Sequence, residues 1–598
     1  MSTFWKVCIF ILVTELCERL AFYGLTGSLT LFLSETLGFA NDMATEVNSL
    51  FNAVVYITPI LGAFVADVYW GRYKTIMFFC MWYILGMIMC TFGSFPQLPT
   101  ALRTAIFLIG LFTGVAVGAG GIKSNVVVLG ADQFVLPDQK REQDAFFNWF
   151  YWAINIGAAF ALGFLPVVAL DGLFVAKEYG FFVSYLIPTM AFVVGLSIFV
   201  AGAPRYKMMP PQGSALTSFF QTMRTVTNSG ARRGGALLIG TTLLPVSFLL
   251  VIASLFAGDW KRSIAIIGTA CIFCALPLIA FSGHSVAWMR PTKLAMQDVA
   301  GEVVEVGGEL AADVTGSLKD AMDVMRVLPL ACCCVVFWAV YSQMTGNFQL
   351  QGCQMDCRIA GTPLPPPVLN VFDSAIIMIL VPVVDKIVYP ALHRLGCPLG
   401  LLTKIGLGFF FAGCSMICAA MVEVARKNSP LIDPFNNLTA GIYSPCNSTV
   451  TEKLVLMNSL SIWWQIPQYA FVGLGEIFAA ITSYELFYSQ VPDAMRSVCQ
   501  SVNLLCTALG SLAVAGLNAA MSAWIPDNLN NGKLEYVFLV LTGIMATNIL
   551  IYTYLARGYE YRIPHAADIG DDIDRPRIAQ VQPLSDRLLS PQQPSSTN

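Results

Sequence analysis

The chain reads as an all-α integral membrane protein of about fourteen spans, on three observations. Of its 598 residues, 56% are hydrophobic and only 12% charged, about half the charged share of soluble domains. Apolar stretches long enough to cross a bilayer, about 20 residues each, follow one another along nearly the whole sequence. Short polar breaks, such as Gly71-Arg72-Tyr73-Lys74 and Gly258-Asp259-Trp260-Lys261-Arg262, separate them as tight turns.

The stretches fall at 5–33, 48–69, 75–94, 102–129, 147–169, 180–202, 235–257, 262–281, 327–347, 367–391, 402–425, 462–489, 497–524 and 535–557. Two polar segments, 203–234 and 282–325, isolate the pair at 235–281. The second holds a charged helical piece around Glu302 to Asp323. The chain therefore divides into a six-span part at 1–202, linkers with an inserted hairpin at 203–325, a six-span part at 326–557, and a tail at 558–598. The tail is rich in Pro, Asp and Ser, a composition that predicts disorder.

Lys and Arg gather on the cytoplasmic side of membrane proteins. With the amino terminus inside, Arg72, Lys74, Lys140, Arg141, Arg394, Lys404, Arg496, Arg557, Arg562, Arg575 and Arg577 all fall inside, so both termini are expected in the cytoplasm. Lys261 and Arg262 dissent, on an outer turn. The loop at 34–47 carries Glu35, Asp42 and Glu46 without a base and falls outside. So does the loop 426–461, whose Asn437-Leu-Thr439 and Asn447-Ser-Thr449 are glycosylation sequons.

No cleavable leader is expected, because Glu15 and Glu18 interrupt the first apolar stretch. A net charge of −3 argues against a nucleic-acid partner and leaves the lipid bilayer as the surrounding medium. Most cysteines lie in the spans as small packing residues. Cys353, Cys357 and Cys446 lie in polar loops, where C-x3-C without a nearby His predicts an outer-side disulfide rather than a metal site.

Charge inside a span is costly, so each instance needs a partner or a polar cavity. Glu15 and Glu18 are three apart and Arg19 is four from Glu15, which places all three on one helical face. Lys123 follows Gly120 and Gly121, which let a neighbouring helix approach, and its natural counter-charges are Glu15 and Glu18. Glu476 interrupts the apolar run Trp463 to Ala480. Arg326 opens the ninth stretch and Asp385 closes the tenth at the same membrane face, so the two are expected to pair as a gate or a structural bridge. Glu485 has the same two readings. No nucleophile–base pair stands out, and the three histidines (His284, His393, His565) lie near or in polar regions, so no enzyme is read.

These residues resemble a known family. Glu15-Leu-Cys-Glu18-Arg19-Leu-Ala-Phe22-Tyr23-Gly24 is similar to the E-x-x-E-R-F-x-Y-Y-G signature of the proton-coupled oligopeptide transporters of the major facilitator superfamily. Gly62-Ala-Phe-Val-Ala-Asp67 with Gly71-Arg72-Tyr73-Lys74 resembles the facilitator motif between spans two and three. Gly120-Gly-Ile-Lys123, Gly130-Ala-Asp132-Gln133-Phe134 and Phe147 through Gly157 resemble the signatures of spans four and five. Phe337-Trp338-Ala, Asn370, Pro382-Val-Val-Asp385, Gly475-Glu476-Ile-Phe and Tyr488 through Arg496 continue the match in order. Tyr341-Ser-Gln-Met344, Leu460 through Pro467 and Asn528 through Leu534 resemble the peptide/histidine branch, while plant nitrate and phytohormone carriers share several of these features. Thr26 stands where classical peptide carriers have an arginine, Ser49 where intestinal ones have a histidine, and Ser342 where they have an acid. The hairpin resembles bacterial members, since eukaryotic ones typically have twelve spans.

The resemblance implies two six-helix bundles rocking about a midplane cavity. It implies symport of di- and tripeptides or histidine, with protons as the coupling ion and no other cofactor. The alternatives are a nitrate or organic-anion carrier of the same family and a non-transporting receptor or scaffold. By resemblance, Glu15, Glu18, Arg19 and Lys123 couple the proton, and Tyr23, Lys123, Asn155, Trp338, Asn370 and Glu476 contact the solute. A monomer in the plasma or vacuolar/lysosomal membrane is expected.

Overall fold

The computed structural model describes residues 4–135, 139–173, 175–208, 232–254, 257–285, 308–359, 362–363, 366–396, 399–432, 455–491 and 496–561. The protein is an all-α membrane fold, its only described sheet being two short strands, Arg358–Ile359 against Thr362–Pro363. Among the described residues, eleven helices are long and apolar enough to cross a membrane. One of them, Met43–Gly93, is 51 residues long, enough for two crossings. The charged helix Ile9–Leu31 and the shorter apolar Val368–Val383 complete the series. The fourteen predicted stretches thus all coincide with helix, and they are numbered below as crossings one to fourteen. The face where crossing one begins is the near face, and the opposite one the far face.

Several boundaries differ from the apolar runs. Crossing two begins already at Asn41, because its first turns are polar but packed. Crossing five starts at Lys140 and runs unbroken to Asp171, so its charged first turns project beyond the apolar part. The charged piece near Asp323 is not a separate helix. It belongs to one helix, Gly308–Tyr341, continuous with crossing nine, because no Gly or Pro stop separates the two parts before Pro329. Gly172 caps crossing five at φ 65°, where its N–H reaches Val168 O at 3.1 Å; a residue with a Cβ would be strained there.

Buried apolar side chains form two main clusters. One draws on crossings one to six, from Ile11 to Tyr206. The other draws on crossings seven to fourteen, from Val251 to Tyr552, and also takes in Leu50 and Ala53 of crossing two. Crossing two therefore packs on crossing thirteen, and crossing five packs on crossing ten. At the far end, the Asn48 amide donates to Thr30 Oγ1 (3.1 Å) and to the Thr345 carbonyl (3.4 Å), joining the two clusters.

The hairpin helices Arg232–Ser254 and Lys261–Gly283 pack on each other, and the second rests on crossings nine and thirteen. Close approach there depends on glycine: a Cβ on Gly283 would meet Met325 O at 2.5 Å.

The disulfide expectation holds for Cys353 and not for Cys357. Cys353 is in a disulfide, but Cys357 is free and buried, with its thiol turned back to the Gly352 and Met355 carbonyls. Cys353, at the end of the short helix Asn347–Cys353, is therefore not bridged to Cys357. Cys446, Asn437, Asn447 and the tail from 562 lie outside the described residues.

Candidate functional site

Crossing one supplies the first half of the site. Glu15, Glu18 and Arg19 are all buried, at 4%, 1% and 6% exposure, which excludes a lipid- or water-facing role. Arg19 Nε lies 3.0 Å from Glu15 Oε1, and its Nη2 is ion-paired to Glu18. The segment is held from behind by crossing five. A Cβ on Gly157 would meet Leu16 O at 2.7 Å and Arg19 Cβ at 3.1 Å, so only glycine permits this approach.

Lys123 comes from crossing four, brought in by the two preceding glycines. Gly120 packs against Thr58 and the Val55 carbonyl, and Gly121 against the Phe79 ring. The Lys123 ammonium, however, does not form the expected ion pair with Glu15 or Glu18. Both carboxylates are taken by Arg19, whose forked guanidinium spans them. Among the described residues Lys123 has no salt-bridge partner; its ammonium lies over the Phe22 ring at 4.3 Å and the Tyr56 ring at 5.0 Å. A cation is thus held by aromatic faces beside a carboxylate pair.

Crossings nine, ten and twelve supply the other half. Trp338 packs its Cβ over Gly510, with its ring 5.2 Å from that of Tyr341. Asn370 is 1% exposed, and both its amide atoms lack a hydrogen-bond partner. Glu476 opens a π-helical turn, Glu476–Ala480, a wider turn of the kind that often re-aims a functional side chain. Asp373, one helical turn after Asn370, is buried beside it. Tyr341, on crossing nine, lies within electrostatic range of both Glu476 and Asp373.

The two halves face each other across tyrosines. Tyr23 is within electrostatic range of Arg19, Glu476 and Asp373, and Tyr56 of Arg19, Glu18 and Glu476. Asn155 is buried at 5% on crossing five. The geometry therefore brings together Glu15, Glu18, Arg19, Lys123 and Tyr23 on one side and Trp338, Asn370 and Glu476 on the other. Asp373 and Tyr56 belong to the same cluster and were missed by the sequence reading. Asp373 was available to it, since its i, i+3 spacing from Asn370 is the rule already applied to Glu15 and Glu18. Thr26 and Ser342 bond carbonyls of their own helices, Phe22 O at 3.0 Å and Trp338 O at 2.8 Å.

Other expected sites fall elsewhere. Gly71 turns the chain at φ 72° between crossings two and three, and Arg72 ion-pairs with Asp132, at the end of crossing four. The side chain of Asp67 lies outside the described residues. Arg326 pairs with Asp323 at 3.3 Å, one turn away on its own helix. The side chain of Asp385, its expected partner, is outside the described residues. Among the described residues, no three or more His, Cys, Asp or Glu side chains are grouped to hold a metal.

Comparison with known proteins gives a consistent result. A family model described as "POT family" matches residues 73–534. Protein NRT1/PTR FAMILY 8.5 of Arabidopsis thaliana is 32% identical over 584 residues, covering 92% of this chain and 89% of the relative. Protein NRT1/PTR FAMILY 8.1 of the same plant is 31% identical, covering 93% and 94%. Among solved structures, an auto-inhibited POT family peptide transporter superposes with a TM-score of 0.69 at 23% identity, covering 95% of this chain and 98% of that one. The POT family transporter PepTSo superposes at 0.68 and 24%, covering 92% and 98%. Fold, buried charges and relatives agree, and the chain belongs to the POT family of proton-coupled membrane transporters.

Proposed function

We propose that the protein is a proton-coupled symporter of di- and tripeptides, with histidine as a further solute, working by alternating access. The observation that carries this reading is the polarity of the buried cluster. Arg19 and Lys123 stand on one side, and Glu476 and Asp373 on the other, with tyrosines between. A zwitterion fits such a field, its carboxylate toward the cations and its ammonium toward the acids.

Coupling follows from the Arg19 pairings. A proton arriving on Glu15 or Glu18 removes one of the charges that hold the guanidinium, which frees Arg19 to join Lys123 in receiving the solute carboxylate. Tyr23, Asn155, Trp338 and Asn370 contribute the remaining polar and aromatic contacts. The near face is cytoplasmic in this reading, both termini lie inside, and the host is the plasma membrane or a vacuolar or lysosomal one. A single chain is the working unit, and Asn437 and Asn447 carry glycans on the far side.

A second reading keeps the fold and the coupling but moves nitrate or another organic anion. Two observations favour it: the plant relatives carry NRT1 beside PTR in their names, and Lys123 has no carboxylate on its ammonium. Taken alone, the relatives lean to this second reading; the acids on crossings ten and twelve lean to the first. Uptake of labelled dialanine, histidine and nitrate into proteoliposomes with an inward proton gradient separates them. Accumulation of dialanine that nitrate does not inhibit supports the peptide reading, and accumulation of nitrate alone overturns it.

A further inference from the structure

The Lys123 ammonium is held by rings rather than by an acid. Its Nζ lies 4.3 Å from the ring centroid of Phe22 and 5.0 Å from that of Tyr56. Phe22 follows Glu18 by four residues and Arg19 by three, so it shares the helical face of the coupling residues. Its ring also meets the Arg19 guanidinium, at 5.6 Å. The ring is fixed in place. Phe22 is 3% exposed, set edge-on to Tyr23 at 5.5 Å and stacked with Phe51 of crossing two at 6.2 Å. Tyr56 comes from crossing two as well, and Lys123 itself is half-buried rather than sealed.

An aromatic face and a carboxylate hold a cation differently. A carboxylate cancels the charge and lets go when it is protonated. A ring attracts through its quadrupole, carries no net charge and takes no proton. On Phe22 and Tyr56, Lys123 therefore keeps its full charge for the solute, whatever the protonation of Glu15 and Glu18. Those two carboxylates are within electrostatic range of Lys123 but are taken by Arg19. Without the rings, the ammonium is left to turn to them.

We propose that Phe22, with Tyr56 beside it, is a positioning residue that keeps Lys123 as a standing receiver of the solute's anionic group. The two cations then divide the work: Arg19 is released by a proton, and Lys123 is available throughout. This deepens the solute site read above and rests on it.

The titratable groups facing Lys123 are Glu15, Glu18 and Arg19 on crossing one and Tyr56 on crossing two. Cys80 and Tyr83 of crossing three stand within range of the carboxylates, and Tyr23, Asp373 and Glu476 complete the surroundings. All of them are common to the unchanged protein and the variants below, so the ratio of the two affinities isolates the ring.

The test is dialanine binding to the purified full chain at mildly alkaline and at acidic pH. Phe22→Leu should weaken binding about three- to thirty-fold at alkaline pH, where ionised Glu15 and Glu18 draw the ammonium away. At acidic pH, where those carboxyls carry protons, the loss should be much smaller. Phe22→Tyr keeps the ring and should bind as the unchanged protein does. Trifluorophenylalanine at position 22 keeps the shape but weakens the negative ring face, and should reproduce the pH-dependent loss; it decides the matter if Phe22→Leu does not survive purification. Equal loss at both pH values makes Phe22 a packing residue and overturns the proposal, as does unchanged binding by the fluorinated protein. If the unchanged protein binds nitrate but no dialanine, the zwitterionic reading fails on its own, and the same comparison is read with nitrate. Binding of neither overturns both.

Discussion

Replacing Glu423 by Gln should strongly destabilise the far end of crossing eleven. Glu423 and Arg426 are both 0% exposed. Arg426 Nη2 lies 2.6 Å from Glu423 Oε1, and its Nε 3.0 Å from Oε2. Gln351 donates to the same Glu423 oxygen at 3.0 Å, while Arg426 Nη1 donates to Asn458 Oδ1 at 2.8 Å and Asn530 Oδ1 at 2.9 Å. One charge pair thus ties crossing eleven to the segments around 351, 458 and 530. Removing one member of a buried pair leaves the other charge uncompensated, at a cost of about 3–5 kcal/mol. The double variant Glu423→Gln/Arg426→Gln removes both charges and keeps side-chain amides in place, so it should lose less than Glu423→Gln alone. Thermal unfolding in detergent, followed by intrinsic fluorescence, gives the ranking. A single variant that melts with the unchanged protein, or a double variant that melts below the single, would refute the reasoning.

Three further outcomes are expected. Glu18→Gln should abolish accumulation driven by a proton gradient while sparing counterflow exchange of solute, which needs no net proton movement; full accumulation by the variant removes Glu18 from coupling. Gly62→Ala would place a Cβ 2.4 Å from Gly121 O and 2.7 Å from Gly121 Cα, both backbone atoms, forcing crossings two and four apart near Lys123. A loss of about 1–3 kcal/mol of stability is expected from such overpacking, together with slower uptake, and an unchanged melt with normal uptake would contradict it. Glu476→Gln removes a charge-assisted hydrogen bond of about 1.5–3 kcal/mol, so dialanine binding should weaken roughly ten- to a hundred-fold. An amino-terminally acetylated dipeptide, lacking the ammonium, should change much less, and equal weakening of both would make Glu476 a structural residue.

The spans were legible because twenty apolar residues have one physical meaning wherever they occur. The cluster Glu15, Glu18, Arg19 was legible for a related reason, since helical spacing fixes which residues share a face. Pairings between distant segments were not. Arg72 meets Asp132 across sixty positions, and Arg426 reaches Asn530 across more than a hundred. Nothing local marks either partner. Lys123 was expected to pair with Glu15 or Glu18 but lies over aromatic rings instead, because composition shows which charges can pair and not which cation reaches a carboxylate first. Arg326 likewise pairs with Asp323, near at hand on its own helix. Asp373 was overlooked for a different reason: in the first turn of a helix an acid is already explained by the helix dipole, which hides its second role.

Proton-coupled symport itself is most directly tested by the pH inside liposomes. With the protein reconstituted, no imposed gradient, and a pH dye trapped in the lumen, adding dialanine outside should acidify the interior. Glu18→Gln should remove that acidification. Entry of labelled dialanine with no change of internal pH, or acidification evoked by nitrate and not by dialanine, would contradict the account.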